Sequence, residues 1–74
     1  MVVAKITKEE FWELEGLRMQ LDNSDNATLC KCPKCGGYGW ADKSLEFDEN
    51  NFCKEIKCPG CDVNVQKIDK IEIV

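Results

Sequence analysis

Residues 32–35 read Cys-Pro-Lys-Cys, and residues 58–61 read Cys-Pro-Gly-Cys. Two cysteines with two residues between them fit on one tight turn, which directs both sulfur atoms to a common point. The proline after the first cysteine fixes φ near the value that the turn needs. Two such turns, here separated by 22 residues, are typical of a zinc site with four thiolate ligands. The sequence therefore predicts one zinc ion with these ligands: Cys32, Cys35, Cys58 and Cys61.

The residue after each turn sets how the chain leaves the metal. Gly36 follows the first turn and can adopt a positive φ, which lets the chain reverse there. Asp62 stands at the corresponding place after the second turn. Because aspartate adopts a positive φ less readily than glycine does, the sequence leaves the exit from the second turn open.

The length of the chain favours a domain that a metal stabilises. Its 74 residues form one domain and bury too little surface for a large core. A structural zinc ion supplies about 10–16 kcal/mol of apparent binding free energy, which becomes folding free energy. The alternatives for the six cysteines are a disulfide framework and a dithiol redox centre.

The expected compartment follows from the apolar segments. Residues 1–5 lack the long apolar run of a secretory signal. This favours a cytoplasmic location, and there zinc binding is favoured over disulfide formation. The sequence also contains no segment that is long and apolar enough for a transmembrane helix. We therefore expect no membrane partner.

An amphipathic helix is predicted over residues 8–21. Thr7 and Glu10 match a capping box, in which each side chain pairs with the other end of the first turn. Trp12 and Met19 widen an apolar face whose members recur at helical spacing: Phe11, Leu14, Leu17 and Leu21. The helix ends where Asp, Asn and Ser become frequent.

The remaining chain predicts β-strands around the cysteine turns. We expect a strand over residues 38–47, for which a break near residues 42–43 stays open, and a strand over residues 52–57. A turn at residues 48–51 joins them. A third strand is expected over residues 63–74, with a bulge or bend at residues 67–69, where the alternation of apolar residues slips.

These elements define the predicted fold class. It is a small α+β protein with one N-terminal amphipathic helix and a three-stranded antiparallel zinc ribbon. We expect two parts: residues 1–29 form an N-terminal arm, the helix and a linker, and residues 30–74 form the ribbon.

The cysteine turns resemble those of zinc-ribbon proteins, a broad group with Cys-Pro-x-Cys-Gly turns, and the similarity covers residues 30–65. Residues 32–39 also fit the Cys-x-x-Cys-x-Gly-x-Gly repeat of the DnaJ cysteine-rich domain, although the second turn lacks both glycines. The chain length and residues 32–37 and 52–61 are similar to small phage and prophage ribbon proteins, which include the Com translational activators and the restriction-alleviation proteins. The resemblance implies a zinc-binding module and leaves its task open.

Two further cysteines, Cys30 and Cys53, have two interpretations. They are either extra ligands or a redox switch, or they are small buried hydrophobic side chains, as free cysteines often are. Alternation along a strand places Cys53 on the face opposite Cys58, which favours the second interpretation.

Composition excludes some functions. The chain has no histidine, which excludes Ser-His-Asp triads and histidine-ligated catalytic zinc. Its net charge of −4 disfavours binding to phosphate backbones. We therefore expect a non-catalytic, regulatory protein-binding adaptor or inhibitor, whose partner is another protein or a second copy of the chain. The residues expected at that contact are Trp12, Met19 and Trp40.

Two alternative functions stay open. One is a nucleic-acid-binding regulator of transcription or translation, which would use the lysines beside the cysteine turns: Lys31, Lys34, Lys54 and Lys57. The other is a dithiol redox protein. It needs a thioredoxin-like strand and helix around residues 32–35, whereas the residues that follow are rich in glycine and strand-like.

Overall fold

The structure is a computed structural model that describes residues 2–74. In chain order, the elements are strand β1 (Val3–Ile6), helix α1 (Lys8–Met19), a 3₁₀ turn (Ser24–Asn26), and strands β2 (Ala27–Lys31), β3 (Tyr38–Asp42), β4 (Phe52–Lys57), β5 (Asn64–Lys67) and β6 (Lys70–Ile73). The strands form an antiparallel sheet in the order β3-β2-β5-β4 and a separate parallel pair of β1 and β6. The predicted class, a small α+β protein with one helix and an antiparallel sheet, is confirmed.

The prediction of a three-stranded ribbon is wrong, because the antiparallel sheet also contains β2. This strand has two consecutive buried residues, Leu29 and Cys30, whose exposed fractions are 2% and 3%. A strand that is covered on both faces shows no alternation of apolar and polar residues. Its sequence therefore resembles a linker that runs into a cysteine turn. In the structure β2 pairs with β3 on one side and with β5 on the other.

The single strand predicted over residues 63–74 is two strands, β5 and β6, which belong to different sheets. The predicted bend lies between them. There the Ile68 N–H donates to the Leu29 carbonyl (2.8 Å), and the Asp69 N–H donates to the Val2 carbonyl (2.9 Å). The Asp69 carboxylate also accepts from the Val2 N–H (2.9 Å). These bonds direct the chain towards β1, with which β6 pairs in parallel.

Helix α1 begins as predicted and ends two residues earlier. The Glu10 N–H donates to the Thr7 hydroxyl (3.2 Å), which confirms the predicted cap at Thr7. The Glu10 side chain also reaches back, but it accepts from the Thr7 hydroxyl (3.1 Å). After Met19, the N–H groups of Gln20 and Leu21 bond to carbonyls only three residues earlier. This tighter spacing ends the helix.

The core lies between α1, the parallel pair and one face of the antiparallel sheet. Its buried side chains are Ala4, Ile6, Leu14, Leu29 and Ile68. Trp40 joins the sheet to the helix, because its indole N–H donates to the Leu14 carbonyl (2.7 Å) and the Arg18 guanidinium lies 5.9 Å from its ring centroid. Leu14 is the buried residue of α1, whereas Leu17 and Leu21 are exposed. The core thus covers only part of the apolar face of the helix.

The division of the chain between residues 29 and 30 stays a prediction. Strand β2 runs across this division, and the pair of β1 and β6 joins one part of the chain to the other.

Helix α1 has 12 residues, too few to span a bilayer, and it is the one α-helix within the described residues.

Candidate metal centre

The first cysteine turn connects two paired strands, β2 and β3. The Cys32 N–H donates to the Gly37 carbonyl (2.9 Å), and the Gly36 N–H donates to the Cys32 carbonyl (2.9 Å). Gly36 has the positive φ that the sequence predicts, 78°. The strand pairing and these two bonds fix the turn at the end of the sheet.

The second turn connects β4 and β5, which are also paired. Its hydrogen bonds repeat those of the first turn: the Cys58 N–H donates to the Val63 carbonyl (2.9 Å), and the Asp62 N–H donates to the Cys58 carbonyl (2.8 Å). Asp62 has a φ of 54°. The exit that the sequence leaves open therefore has the same form as the first, with aspartate in place of glycine.

The two turns bring four sulfur atoms together. The Sγ atoms of the four predicted ligands all lie within 4.8 Å of one another: Cys32, Cys35, Cys58 and Cys61. The Sγ atoms of Cys35 and Cys58 are 3.9 Å apart. A tetrahedral zinc with Zn–S bonds of about 2.3 Å requires sulfur atoms about 3.8 Å apart. The cluster thus has the size that a four-thiolate metal site needs, and within residues 2–74 every cysteine is a free thiol.

The electrostatic environment differs among these thiols. The Cys35 N–H donates to Cys32 Sγ (3.4 Å), and such backbone N–H groups lower the pKa of Cys32 to about 6. The pKa of Cys61 is raised to about 12, mainly by partial burial and to a smaller extent by hydrogen bonds with the neighbouring thiols. The cluster therefore holds one thiolate readily and resists loss of its last proton. A divalent cation overcomes that resistance by its own charge.

The cluster lies at the surface. Cys32 is buried, Cys58 and Cys61 are half-buried, and Cys35 is exposed. Four protein ligands fill a tetrahedral coordination sphere and leave no position for water or substrate, which is the arrangement of a structural metal rather than a catalytic one.

Cys30 and Cys53 lie outside this group of four. They stand on β2 and β4, with β5 between those strands, and their exposed fractions are 3% and 1%. Burial, with a smaller contribution from the nearby Cys53, raises the pKa of Cys30 to about 11. Burial of both side chains favours the interpretation that they are small hydrophobic residues of the sheet.

The four lysines of the nucleic-acid alternative have different surroundings. The Lys31 ammonium lies 5.6 Å from the ring centroid of Tyr38, and the Lys57 ammonium lies 3.9 Å from the Asp62 carboxylate. Lys34 and Lys54 are exposed. Two of the four charges thus already have partners within the chain.

The three residues predicted to contact a partner are also in different places. Trp12 and Met19 are exposed to 64% and 76% of their surface. Trp40 is half-buried, and its polar atom is bonded to the helix. Trp40 stands on β3 opposite the core residue Leu29 of β2. Because the sequence prediction missed β2, it could not reveal this packing of Trp40.

Because comparisons with known proteins found no match, the four-cysteine group is the feature by which the fold can be classified. No protein-family profile, curated protein or solved structure matches the chain. The cysteine cluster is compatible with a zinc-ribbon-like module. The finer resemblance to Com-like and restriction-alleviation proteins stays an expectation from the sequence.

Proposed function

We propose that the four-cysteine cluster binds one structural zinc ion. Support comes from the 3.9 Å spacing of Cys35 and Cys58 sulfurs and from the four-sulfur donor set, which suits zinc or iron. The metal joins a turn that extends β2 and β3 to a turn that extends β4 and β5. Metal analysis of natively purified, reduced protein tests the proposal. One zinc per chain is expected, and one iron per chain would contradict it.

We infer that the domain acts as a non-catalytic, regulatory adaptor or inhibitor that binds another protein in the cytoplasm, where thiols stay reduced. The observation that carries this inference is the exposure of Trp12 (64%) and Met19 (76%) on a helix whose opposite side packs on the core. Aromatic residues and methionine are enriched in the cores of protein interfaces. Burial of each such side chain stabilises a complex by about 1.5–3 kcal/mol before the cost of association.

The local structure supports a fixed contact at Trp12. Its ring meets the half-buried Phe11 ring edge-on, with centroids 6.2 Å apart and planes at 70°. Such an edge-to-face contact favours one orientation of the indole by about 0.5–1.5 kcal/mol. Most of the Trp12 surface stays in water. A side chain that is held in place before binding loses less conformational entropy on binding.

The test of the adaptor function compares capture of proteins from the source cell by three forms of the tagged, zinc-loaded protein. The wild type and a control variant, Ile56→Ala, should retain one discrete protein, because Ile56 is exposed on β4, at the sheet edge opposite β3. The Trp12→Ala/Met19→Ala variant should lose that protein and keep its zinc and its melting temperature. A fall of several degrees in melting temperature with unchanged capture would place Trp12 in the core and contradict the proposal.

Each of the two alternative functions has its own test. Salt-dependent binding of RNA or DNA that Lys34→Ala and Lys54→Ala weaken would favour the nucleic-acid function over the adaptor function. Catalysis of thiol–disulfide exchange by the zinc-loaded protein would favour the dithiol function.

A further inference from the structure

The exposed side of α1 carries a notch between two large apolar side chains. Trp12, Gly16 and Met19 follow one another at intervals of four and three residues, so they lie along one line on the helix surface. We call this line the Trp12–Gly16–Met19 stripe. A Cβ atom placed on Gly16 would meet no described atom within 4 Å beyond its own helix backbone and chain neighbours. The backbone at Gly16 is therefore open to a partner's side chain.

The surroundings of the stripe are acidic. Helix α1 contains four glutamates against Lys8 and Arg18, which gives a net charge of −2. The Arg18 guanidinium is bonded to the Glu15 carboxylate (2.7 Å) and to the Ser24 carbonyl (3.2 Å), so its charge is already paired. Lys8 lies one turn before Trp12, so it offsets part of the negative charge there, and the helix as a whole keeps its net charge of −2.

Two of the three glutamates that are not bonded to Arg18 lie beside the stripe. Glu9 precedes Trp12 by three residues, and Glu13 precedes Gly16 by three residues, so each carboxylate lies beside a member of the stripe. Both are exposed, and neither forms an ion pair within residues 2–74. The stripe therefore combines an apolar notch with an acidic border.

We propose that this stripe binds a basic amphipathic segment of a partner protein. One bulky apolar side chain of the segment fits over Gly16, between Trp12 and Met19, and its lysine or arginine residues face Glu9 and Glu13. Charge complementarity of this kind selects partners and speeds their encounter. The inference rests on the proposed adaptor function and adds the chemistry of the partner.

The same charges disfavour other occupants. A second copy of the chain would bring its own net charge of −4 and an identical acidic border to the contact. An anionic lipid surface would repel the helix for the same reason. A basic segment is the occupant for which both the notch and its border are favourable.

The test uses two synthetic amphipathic peptides, one with leucine and lysine faces and one in which glutamate replaces every lysine. Binding is followed in ¹⁵N-labelled, zinc-loaded protein through the two indole N–H signals. Trp40 is the internal reference, because its indole N–H is bonded to the Leu14 carbonyl. The lysine peptide should shift the Trp12 signal and leave that of Trp40 unchanged. It should bind at least roughly tenfold more tightly than the glutamate peptide at low salt, and the difference should shrink as salt rises.

Two variants separate the notch from its border. Gly16→Leu fills the notch in open space, so we expect binding at least roughly tenfold weaker with an unchanged or higher melting temperature, because glycine weakens a helix. Glu9→Gln/Glu13→Gln should remove most of the preference for the lysine peptide. Glu55→Gln on β4 is the matched control and should bind like the wild type.

Three results would overturn the inference. They are equal binding of both peptides, a Trp12 signal that neither peptide shifts, and self-association of the free protein that Gly16→Leu abolishes. The capture experiment keeps this failure distinct from that of the adaptor function. If capture depends on Trp12 and Met19 while the lysine peptide leaves Trp12 unshifted, the adaptor function stands and only the basic chemistry of its partner is wrong.

Discussion

Gly36 and Asp62 hold equivalent positions in the two cysteine turns, and both have a positive φ, 78° and 54°. Each donates its N–H to the carbonyl of the first cysteine of its turn. The two halves of the metal site therefore share one backbone geometry, although glycine serves in one half and aspartate in the other. Aspartate is among the few non-glycine residues that adopt this conformation at modest cost.

This geometry predicts unequal effects of the same substitution at two glycines. Gly36→Ala should destabilise the zinc-loaded protein by about 1–2 kcal/mol, because an L-residue is strained at a positive φ. Gly60→Ala, in the second turn, is the control: Gly60 lacks a positive φ and has open space around it, so stability should change by no more than about 0.5 kcal/mol. Denaturant unfolding at constant zinc measures both changes, and equal losses would refute the argument.

The next prediction separates the metal ligands from the two buried cysteines. Cys58→Ser should abolish zinc binding and cooperative folding, because the metal then loses one of its four ligands. Cys30→Ala/Cys53→Ala should keep one zinc per chain and fold with a lower melting temperature, because both side chains are buried.

Metal analysis after dialysis, together with circular dichroism, tests both variants. Loss of zinc from the double alanine variant would show that the ligand assignment is wrong. Addition of a strong chelator to the wild type provides the reference for the unfolded, metal-free state.

A third prediction concerns pH. Zinc binds thiolates, and the pKa of Cys61 is raised to about 12, so at neutral pH the metal must displace the proton of Cys61. The apparent zinc affinity should therefore rise about tenfold or more for each pH unit between pH 7 and pH 9, and fall with acid. The pKa of Cys32, lowered to about 6, adds a further loss of affinity below that pH. Competition with a chelator of known affinity measures the slope, and an affinity that does not depend on pH would contradict the prediction.

The two tryptophans should differ in their effect on stability. Trp40→Phe removes the hydrogen bond to the Leu14 carbonyl and part of the contact with Arg18, which should cost about 1–2 kcal/mol. In a domain of this size that lowers the melting temperature by roughly 4–8 °C per kcal/mol. Trp12→Phe, at an exposed site, should stay within about 0.5 kcal/mol of the wild type. The reverse order in calorimetry would show that Trp12 supports the core.

Features that depend on neighbouring residues were predictable from the sequence. The cysteine turns, the cap at Thr7 and the strand at residues 52–57 all lie where the sequence predicts them. Each depends on contacts within a few residues: two sulfur atoms on one turn, a hydroxyl beside an N–H group, or alternation along one strand. Such contacts are determined by residue spacing, which the sequence contains directly.

The tertiary structure decided which surfaces are covered. Strand β2 is covered on both faces, so its sequence lacks the alternation that would reveal it, and its pairing with β5 joins residues 35 and 37 positions apart. The segment after Lys67 leaves the sheet because Asp69 bonds to Val2, which lies at the far end of the chain. In the same way, helical spacing sets Trp12 and Leu14 on nearly opposite sides of α1 but does not say which side is covered. Packing against Leu29 and Ile68 buries Leu14 and leaves Trp12 in water. Local geometry follows from residue spacing, but burial depends on distant parts of the chain that meet only in the folded protein.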